Sequence, residues 1–327
     1  MRISGVVADH SGCGVYRVKW PMAALAERGH QVTVQDSMPV SVDDLDVLVT
    51  QRTCLPGPTG MFLRHCREGR VKTVFEIDDD LWSIDPSNKP AARFYGPELL
   101  QNLRACVEAA DTVTVTTATL AERLSAWNSD VRVLPNQVPG WLLDHTKPAS
   151  GNPDRLTIGW RGGTSHSRDF GELAAPLRRF LQHPKYRSRV EFHSMGADQT
   201  PRVTTRHGNT RWSDWHEDVT DFLRAIDFDV SVVPLRPSVF NDSKSDLALV
   251  EMSALGIPTI TSDTGPYASE HRGPNLACST PAQWTEALHD LTTNPEYREL
   301  LGKQAREWAT TRTIEANAAL WENAYQQ

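Results

Sequence analysis

Long apolar runs are missing from this chain. No stretch approaches the ~20 apolar residues that a membrane-spanning helix needs, and the N-terminus, MRISGVVADH, has neither the extended apolar core nor the cleavage site of a secretory leader. A cytoplasmic location is the resulting expectation. Cysteine is scarce: Cys13, Cys54, Cys66, Cys106 and Cys278 are odd in number, widely spaced and never arranged as CxxC. That argues against a disulfide framework and against a zinc site. An excess of basic charge is absent too. The net charge is -7, and residues 1–150 hold 15 Lys+Arg against 18 Asp+Glu, so general nucleic-acid binding has no support. No low-complexity tract or repeated segment interrupts the chain.

What is present is a globular composition, 39% hydrophobic and 23% charged, over 327 residues. That length suits two domains. Short apolar strands alternate with amphipathic helices. Strands are predicted at Arg2–Val7, Gln31–Val34, Asp46–Thr50, Val71–Ile77, Thr112–Thr116 and Val131–Leu134. After the Pro-, Gly- and Ser-rich stretch Thr146–Asp154 the alternation restarts, with strands at Leu156–Trp160, Val190–Met195, Phe228–Val233 and Thr259–Thr261. The pattern predicts an α/β fold with two Rossmann-like, doubly wound sheets. The expected domains are residues 1–150 and 151–305, followed by a C-terminal helical segment, 306–327, that packs back on the first. Ligands of such sheets bind outside the C-terminal ends of the strands, so the loops after strands are the places to search.

Four loops stand out. Gly12-Cys13-Gly14-Val15-Tyr16-Arg17 follows the first strand. Its glycines permit close approach of backbone to a ligand. Arg17 replaces the third glycine of a dinucleotide fingerprint, which disfavours a nicotinamide or flavin site despite Asp36 further on. The alternatives are a tight turn, or an active-site loop that presents Tyr16 and Arg17. Asp78-Asp79-Asp80 ends an apolar strand. It reads as a solvated turn with one Asp capping a helix, as an Asp-x-Asp metal or acid/base site, or, the favoured reading, as a substrate-side or structural acid cluster with Asp80 as its functional member. Arg161-Gly162-Gly163 and His166 precede a helix whose cap is Asp169, and they suit phosphate oxygens. Finally, Asn241–Asp263 reads as loop, helix and strand. Ser243, Lys244 and Ser245 are placed at the helix start, where free N–H groups favour an anion. Glu251 is then two turns further along the same face, placed for a ribose diol. A further loop, Thr264–Glu270, follows the last of these strands.

Together, Gly12-x-Gly14-x-Tyr16-Arg17, Leu134-Pro135-Asn136, Gly159–Asp169 and Lys244…Glu251…Gly256-Ile257-Pro258 resemble GT-B glycosyltransferases. The nearest group is the retaining, glycogen-synthase-like one, in a branch common among bacterial and phage proteins. The resemblance implies two domains facing across a cleft that closes to exclude water. It implies a UDP- or GDP-sugar as co-substrate, no prosthetic group and no metal. By it, Glu251 binds the nucleotide ribose, Lys244 and Arg161 the diphosphate, and Gly12 and Gly14 approach the donor. Taken with the loops read above, the expected catalytic residues are Lys244, Arg161 and Asp80. The expected donor-binding residues are Gly12, Gly14, Gly162, Gly163, His166, Ser243, Lys244, Ser245 and Glu251, with Tyr16, Arg17, Asp78 and Asp79 on the acceptor side. Ser243 stands eight positions before Glu251, where the group has another glutamate, and this leaves the sugar unnamed.

The function expected is sugar transfer from a nucleotide-sugar to an acceptor hydroxyl. The alternatives are a nucleotide-sugar 2-epimerase and a binding protein without turnover. The acceptor is open among a glycan, a modified DNA base, a protein and a small molecule. A basic group, Arg52, Arg64, His65, Arg67, Arg70 and Lys72, is either a face for an anionic polymer or a solvated surface.

Overall fold

The computed structural model describes residues 1–86, 88–149, 154–268 and 273–326. The chain forms two compact units. The first comprises Met1–Pro139, Asp242–Ser245 and Thr313–Gln327, and the second Gly140–Asn241 and Asp246–Arg312. Part of the expected linker, 150–153, lies outside the described residues. Its earlier portion belongs to the second unit for a specific reason. Lys147 Nζ donates to the Asp229 carboxylate at 2.7 Å and to the Phe228 carbonyl at 2.8 Å.

The first unit is built on a six-stranded sheet: β1 (Arg2–Val6), β2 (Gln31–Gln35), β3 (Val47–Gln51), β4 (Lys72–Ile77), β5 (Thr112–Val115) and β6 (Val131–Val133). The order is β2-β1-β3-β4-β5-β6, and the described pairs are parallel. Its central strands are buried on both faces, which explains their continuous apolar runs. Successive side chains alternate between two cores. Leu48, Phe75 and Ile77 join Phe62, Leu103 and Val107 from the helices Pro56–Glu68 and Pro97–Ala109 on one face. Val47, Val49 and Val74 join Met22 and Leu25 of the helix Trp20–Glu27 on the other. That second core is completed by Trp321, Ala324 and Tyr325 of the last helix, Ile314–Gln326.

The second unit also carries six parallel strands: β7 (Leu156–Gly162), β8 (Val190–Gly196), β9 (Thr210–Ser213), β10 (Val230–Val233), β11 (Thr259–Ser262) and β12 (Asn275–Cys278). Their order is β12-β11-β10-β7-β8-β9. The helices Phe170–Gln182 and Pro281–Thr293 cover one face through Phe170, Leu173, Leu177, Trp284, Leu288 and Leu291. Sequence patterning misses β9 and β12. Both are four-residue edge strands with half-exposed side chains, so neither shows an apolar run or a clean alternation.

The two orders matter for function. Each sheet has one place where successive crossovers leave in opposite directions, between β1 and β3 in the first and between β7 and β10 in the second. A crevice opens at such a point beyond the strand ends.

Two stability measurements test this architecture. Trp321 is fully buried against the first sheet, so Trp321→Ala should cost about 3–5 kcal/mol and lower the melting temperature of the first unit. In the second unit, burial pushes the Asp227 carboxyl up, but its hydrogen bond from His193 (2.9 Å) and the Arg211 charge outweigh this and hold it below the ordinary aspartate value. A depressed carboxyl stabilises the fold above its unfolded pKa of about 3.9, and that stability is lost as pH falls through the lower folded value. Asp227→Asn should therefore be less stable than wild type at neutral pH, with the gap narrowing in acid. Denaturant melts at both pH values read this directly.

Candidate active site

In the second unit, β7 runs out at Arg161-Gly162 and passes through Gly163 into a short turn, Thr164–His166. The Arg161 guanidinium is ion-paired with the Glu251 carboxylate. Glu251 lies in the helix Leu247–Ala254 and is buried. The pair holds a cation at the end of β7 and an anion on the helix that follows β10. A cap contact from Asp169 to its helix is not what forms. Its carboxylate accepts instead from the Arg236 N–H (3.2 Å), from Asn241 Nδ2 (2.9 Å) and from the ring of His166 (3.0 Å). Asp169 thereby ties the loop after β7 to the loop after β10, across the point where the strand order reverses. Tyr267 is buried nearby, and burial raises its phenol well above the usual value. Ser269 and Glu270 of its loop lie outside the described residues.

Ser243, Lys244 and Ser245 do not begin the helix, contrary to expectation. A short helix, Val239–Asp242, precedes them, and the next begins at Leu247 behind Asp246. The reason is a competition for backbone and side-chain groups. The Ser243 carbonyl accepts from Thr117 Oγ1 at 2.9 Å, and the Ser245 hydroxyl accepts from Asn136 Nδ2 at 2.7 Å. Asp246 takes Arg312 in a two-bonded pair at 2.7 and 2.8 Å. Lys244 Nζ is 3.4 Å from the Asp79 carboxylate. Lys244 and Glu251 therefore do not share a helix face.

In the first unit the three strand-end acids serve three different partners. Asp79 faces Lys244, Asp80 is buried and paired with Arg123 at 2.7 Å, and Asp78 lies 3.5 Å from Arg52 Nε. Burial raises the Asp78 carboxyl, but Arg52 and the Cys13 thiol outweigh this and hold it low. Burial beside Asp78 pushes the Cys13 thiol well up, so it stays protonated. Among the described residues no group of three or more His, Cys, Asp or Glu gathers in a way that suits a metal ion.

The Gly12–Gly14 turn leads into a π-helical turn, Val15–Lys19. Gly14 is required by packing, because a Cβ there would lie 1.8 Å from the Asp9 carbonyl. Around Gly12 there is open space. Tyr16 and Arg17, the expected acceptor-side residues of an active-site loop, are both buried. Tyr16 packs edge-on against Trp20. Arg17 donates to both Glu76 carboxylate oxygens at 2.7 and 3.1 Å, to the Leu134 carbonyl at 2.6 Å and to Asn136 Oδ1 at 3.0 Å. Its guanidinium is thus consumed internally. Part of the basic group is tied up by neighbouring residues. Arg70 bridges Asp43 and Glu68, Arg64 meets Glu68, and the buried His65 is bonded to the Pro39 carbonyl.

No protein-family model matches the chain, and no curated protein matches it in sequence. Solved structures do match. The chain is similar to WaaG, a glycosyltransferase involved in lipopolysaccharide biosynthesis, with a TM-score of 0.65 at 14% identity over 99% of this chain and 98% of that one. A glycosyltransferase from Rickettsia africae matches with a TM-score of 0.64 at 11% identity, over 98% and 96% of the two chains. A trehalose-6-phosphate structure from E. coli, bound with UDP-2-fluoro glucose, matches at 0.59 and 14% identity over 87% and 74%. The fold is that of GT-B glycosyltransferases: two α/β units, each with a six-stranded parallel sheet.

Removing one partner of the Arg17–Glu76 pair leaves a buried charge uncompensated. Arg17→Met should destabilise the first unit by about 3–5 kcal/mol, read as a lowered midpoint in chemical denaturation.

Proposed function

We propose that this protein is a glycosyltransferase that moves a sugar from a nucleotide-sugar to an acceptor hydroxyl. The carrying observation is the Arg161–Glu251 pair at the strand-order reversal of the second sheet, beside Gly162 and Gly163. A carboxylate can accept from both hydroxyls of a ribose, and a guanidinium can donate to two phosphate oxygens at once. When a nucleoside diphosphate arrives, each partner exchanges the other for a ligand group. Glu251 takes the ribose. Arg161 and the Gly162–Gly163 backbone take the diphosphate, and His166, oriented by Asp169, donates to it. Lys244 supplies a second positive charge for the departing diphosphate, which is the charge that grows as the glycosidic bond breaks. These cations let the reaction proceed without a metal.

We propose retention of configuration, with the leaving phosphate taking the acceptor proton on the same face. UDP is the favoured nucleotide, supported by the UDP-sugar analogue bound in the E. coli neighbour. Asp80, buried and paired with Arg123 at 2.7 Å, is assigned no contact with substrate.

A ligand that binds only the folded state raises its melting temperature. UDP, and GDP as the competing arm, should therefore shift the second unit upward. Glu251→Gln should weaken UDP binding at least about tenfold, equivalent to ~1.4 kcal/mol. Lys244→Ala should cut turnover of the UDP-sugar strongly while leaving the melting temperature near wild type. No shift with any nucleoside diphosphate, or near-normal turnover in the Lys244 variant, would sink this assignment. Accumulation of a sugar isomer without acceptor would instead mark an epimerase.

A further inference from the structure

A cavity of about 350 Å³ opens in the first unit, beyond the ends of β1 and β3. It lies where the strand order of that sheet reverses, which is where open α/β sheets take ligands. Asp9, Asp36, Gln51 and Arg52 supply its polar lining, and Leu55 and Phe94 its apolar one. Three observations mark it as a built site. Gln51 is 1% exposed; its Oε1 accepts from the Ala8 N–H at 3.2 Å, but its Nε2 has no partner. An amide donor buried in this way is costly unless something accepts from it. Arg52, the next residue, has φ 46°, the one positive value at a non-glycine among the described residues. Such a conformation persists only where its surroundings impose it, and it concentrates at ligand sites. The apolar lining is also presented to solvent, with Phe94 53% and Leu55 52% exposed.

Charge narrows the ligand. Arg52 is already ion-paired with Asp9 and lies beside Asp78. Asp36 adds a further carboxylate, with the His10 ring at 2.8 Å. The polar wall therefore carries more negative than positive charge, and it repels a phosphate or a nucleic-acid strand. Carboxylates accept from hydroxyls, a free amide N–H donates to a hydroxyl or ring oxygen, and an exposed aromatic ring packs against the C–H face of a sugar.

We infer that this cavity holds an uncharged pyranose unit of the acceptor, with its hydroxyls on Asp9 and Asp36, an oxygen on Gln51 Nε2 and its apolar face on Phe94. The inference rests on the glycosyl-transfer reading above, but it names a class of acceptor that this reading leaves open. It disfavours the DNA alternative, because Arg52, the basic residue of the lining, is already paired and the lining carries two carboxylates.

Saturation-transfer NMR on the full chain tests it with neutral methyl glycosides of glucose, galactose, mannose and N-acetylglucosamine. Hexose phosphates and a short oligodeoxynucleotide are the competing probes. UDP is titrated in the same samples. At least one neutral glycoside should bind, and neither anionic probe should displace it. Phe94→Ala, a surface change that spares the fold, and Gln51→Leu should each weaken that glycoside about tenfold, ~1.4 kcal/mol, with UDP binding unchanged. Absence of neutral-glycoside binding, displacement by the phosphates or the oligonucleotide, or full binding in both variants would overturn the inference while UDP still binds. Loss of UDP binding in the wild type would count against the transfer reading instead.

Discussion

The buried Arg17–Glu76 pair is the interaction on which the first unit depends. Two opposite charges taken out of water attract strongly but are costly to desolvate, so the geometry must be complete. Here it is. Arg17 uses Nε, Nη1 and Nη2, and Glu76 accepts from Thr114 as well. One guanidinium therefore joins the turn after β1 to the ends of β4 and β6, while Thr114 adds β5. Asn136, held by Arg17 through its oxygen, turns its amide donors toward Ser245. The placement of Ser243, Lys244 and Ser245 thus traces back to a residue more than two hundred positions earlier.

A second constraint comes from strand order. Both sheets are parallel and doubly wound, and each reverses direction once, at β1/β3 and at β7/β10. The second reversal is occupied by Arg161, Glu251 and the Asp169 network, with Arg161 Nε left as a buried donor without a hydrogen-bond partner. The first likewise leaves donor capacity unspent at Gln51, and it imposes an unusual backbone at Arg52. The two crevices differ in their charge. One is charged and balanced, suited to a ligand with both anionic and hydroxyl groups. The other is acidic with an aromatic edge, suited to a neutral sugar.

Much of the fold was legible in the sequence because its signals are local. Apolar runs of Val and Ile marked the central strands, and Gly256, at φ 68°, marked the end of the helix Leu247–Ala254. Edge strands were illegible because half-exposed residues do not need apolar side chains. The site was less legible than the fold. Arg161 and Glu251, chosen as separate ligand groups, turned out to touch. The glycine-rich turn suits an active-site loop that presents Tyr16 and Arg17, yet it buries both. Arg52 groups by charge with Arg64 and Arg70, and nothing in a charge count shows that its partners are Asp9 and Asp78.

The sequence by itself determined the alternation of strands and helices, the loops that follow each strand and the residue types available there. Those follow from period, propensity and the conformational range of glycine, which act over a few residues. Only the tertiary structure decided which charges meet. Asp78, Asp79 and Asp80 are consecutive, yet one faces Arg52, one Lys244 and one Arg123. Successive side chains leave the chain in different directions, and their partners come from distant segments. Lys244 and Glu251 are close in sequence, yet hydrogen bonds from Thr117 and Asn136 hold the residues around Lys244 out of the helix that carries Glu251. Pairing at that range depends on the whole fold, and no local pattern encodes it.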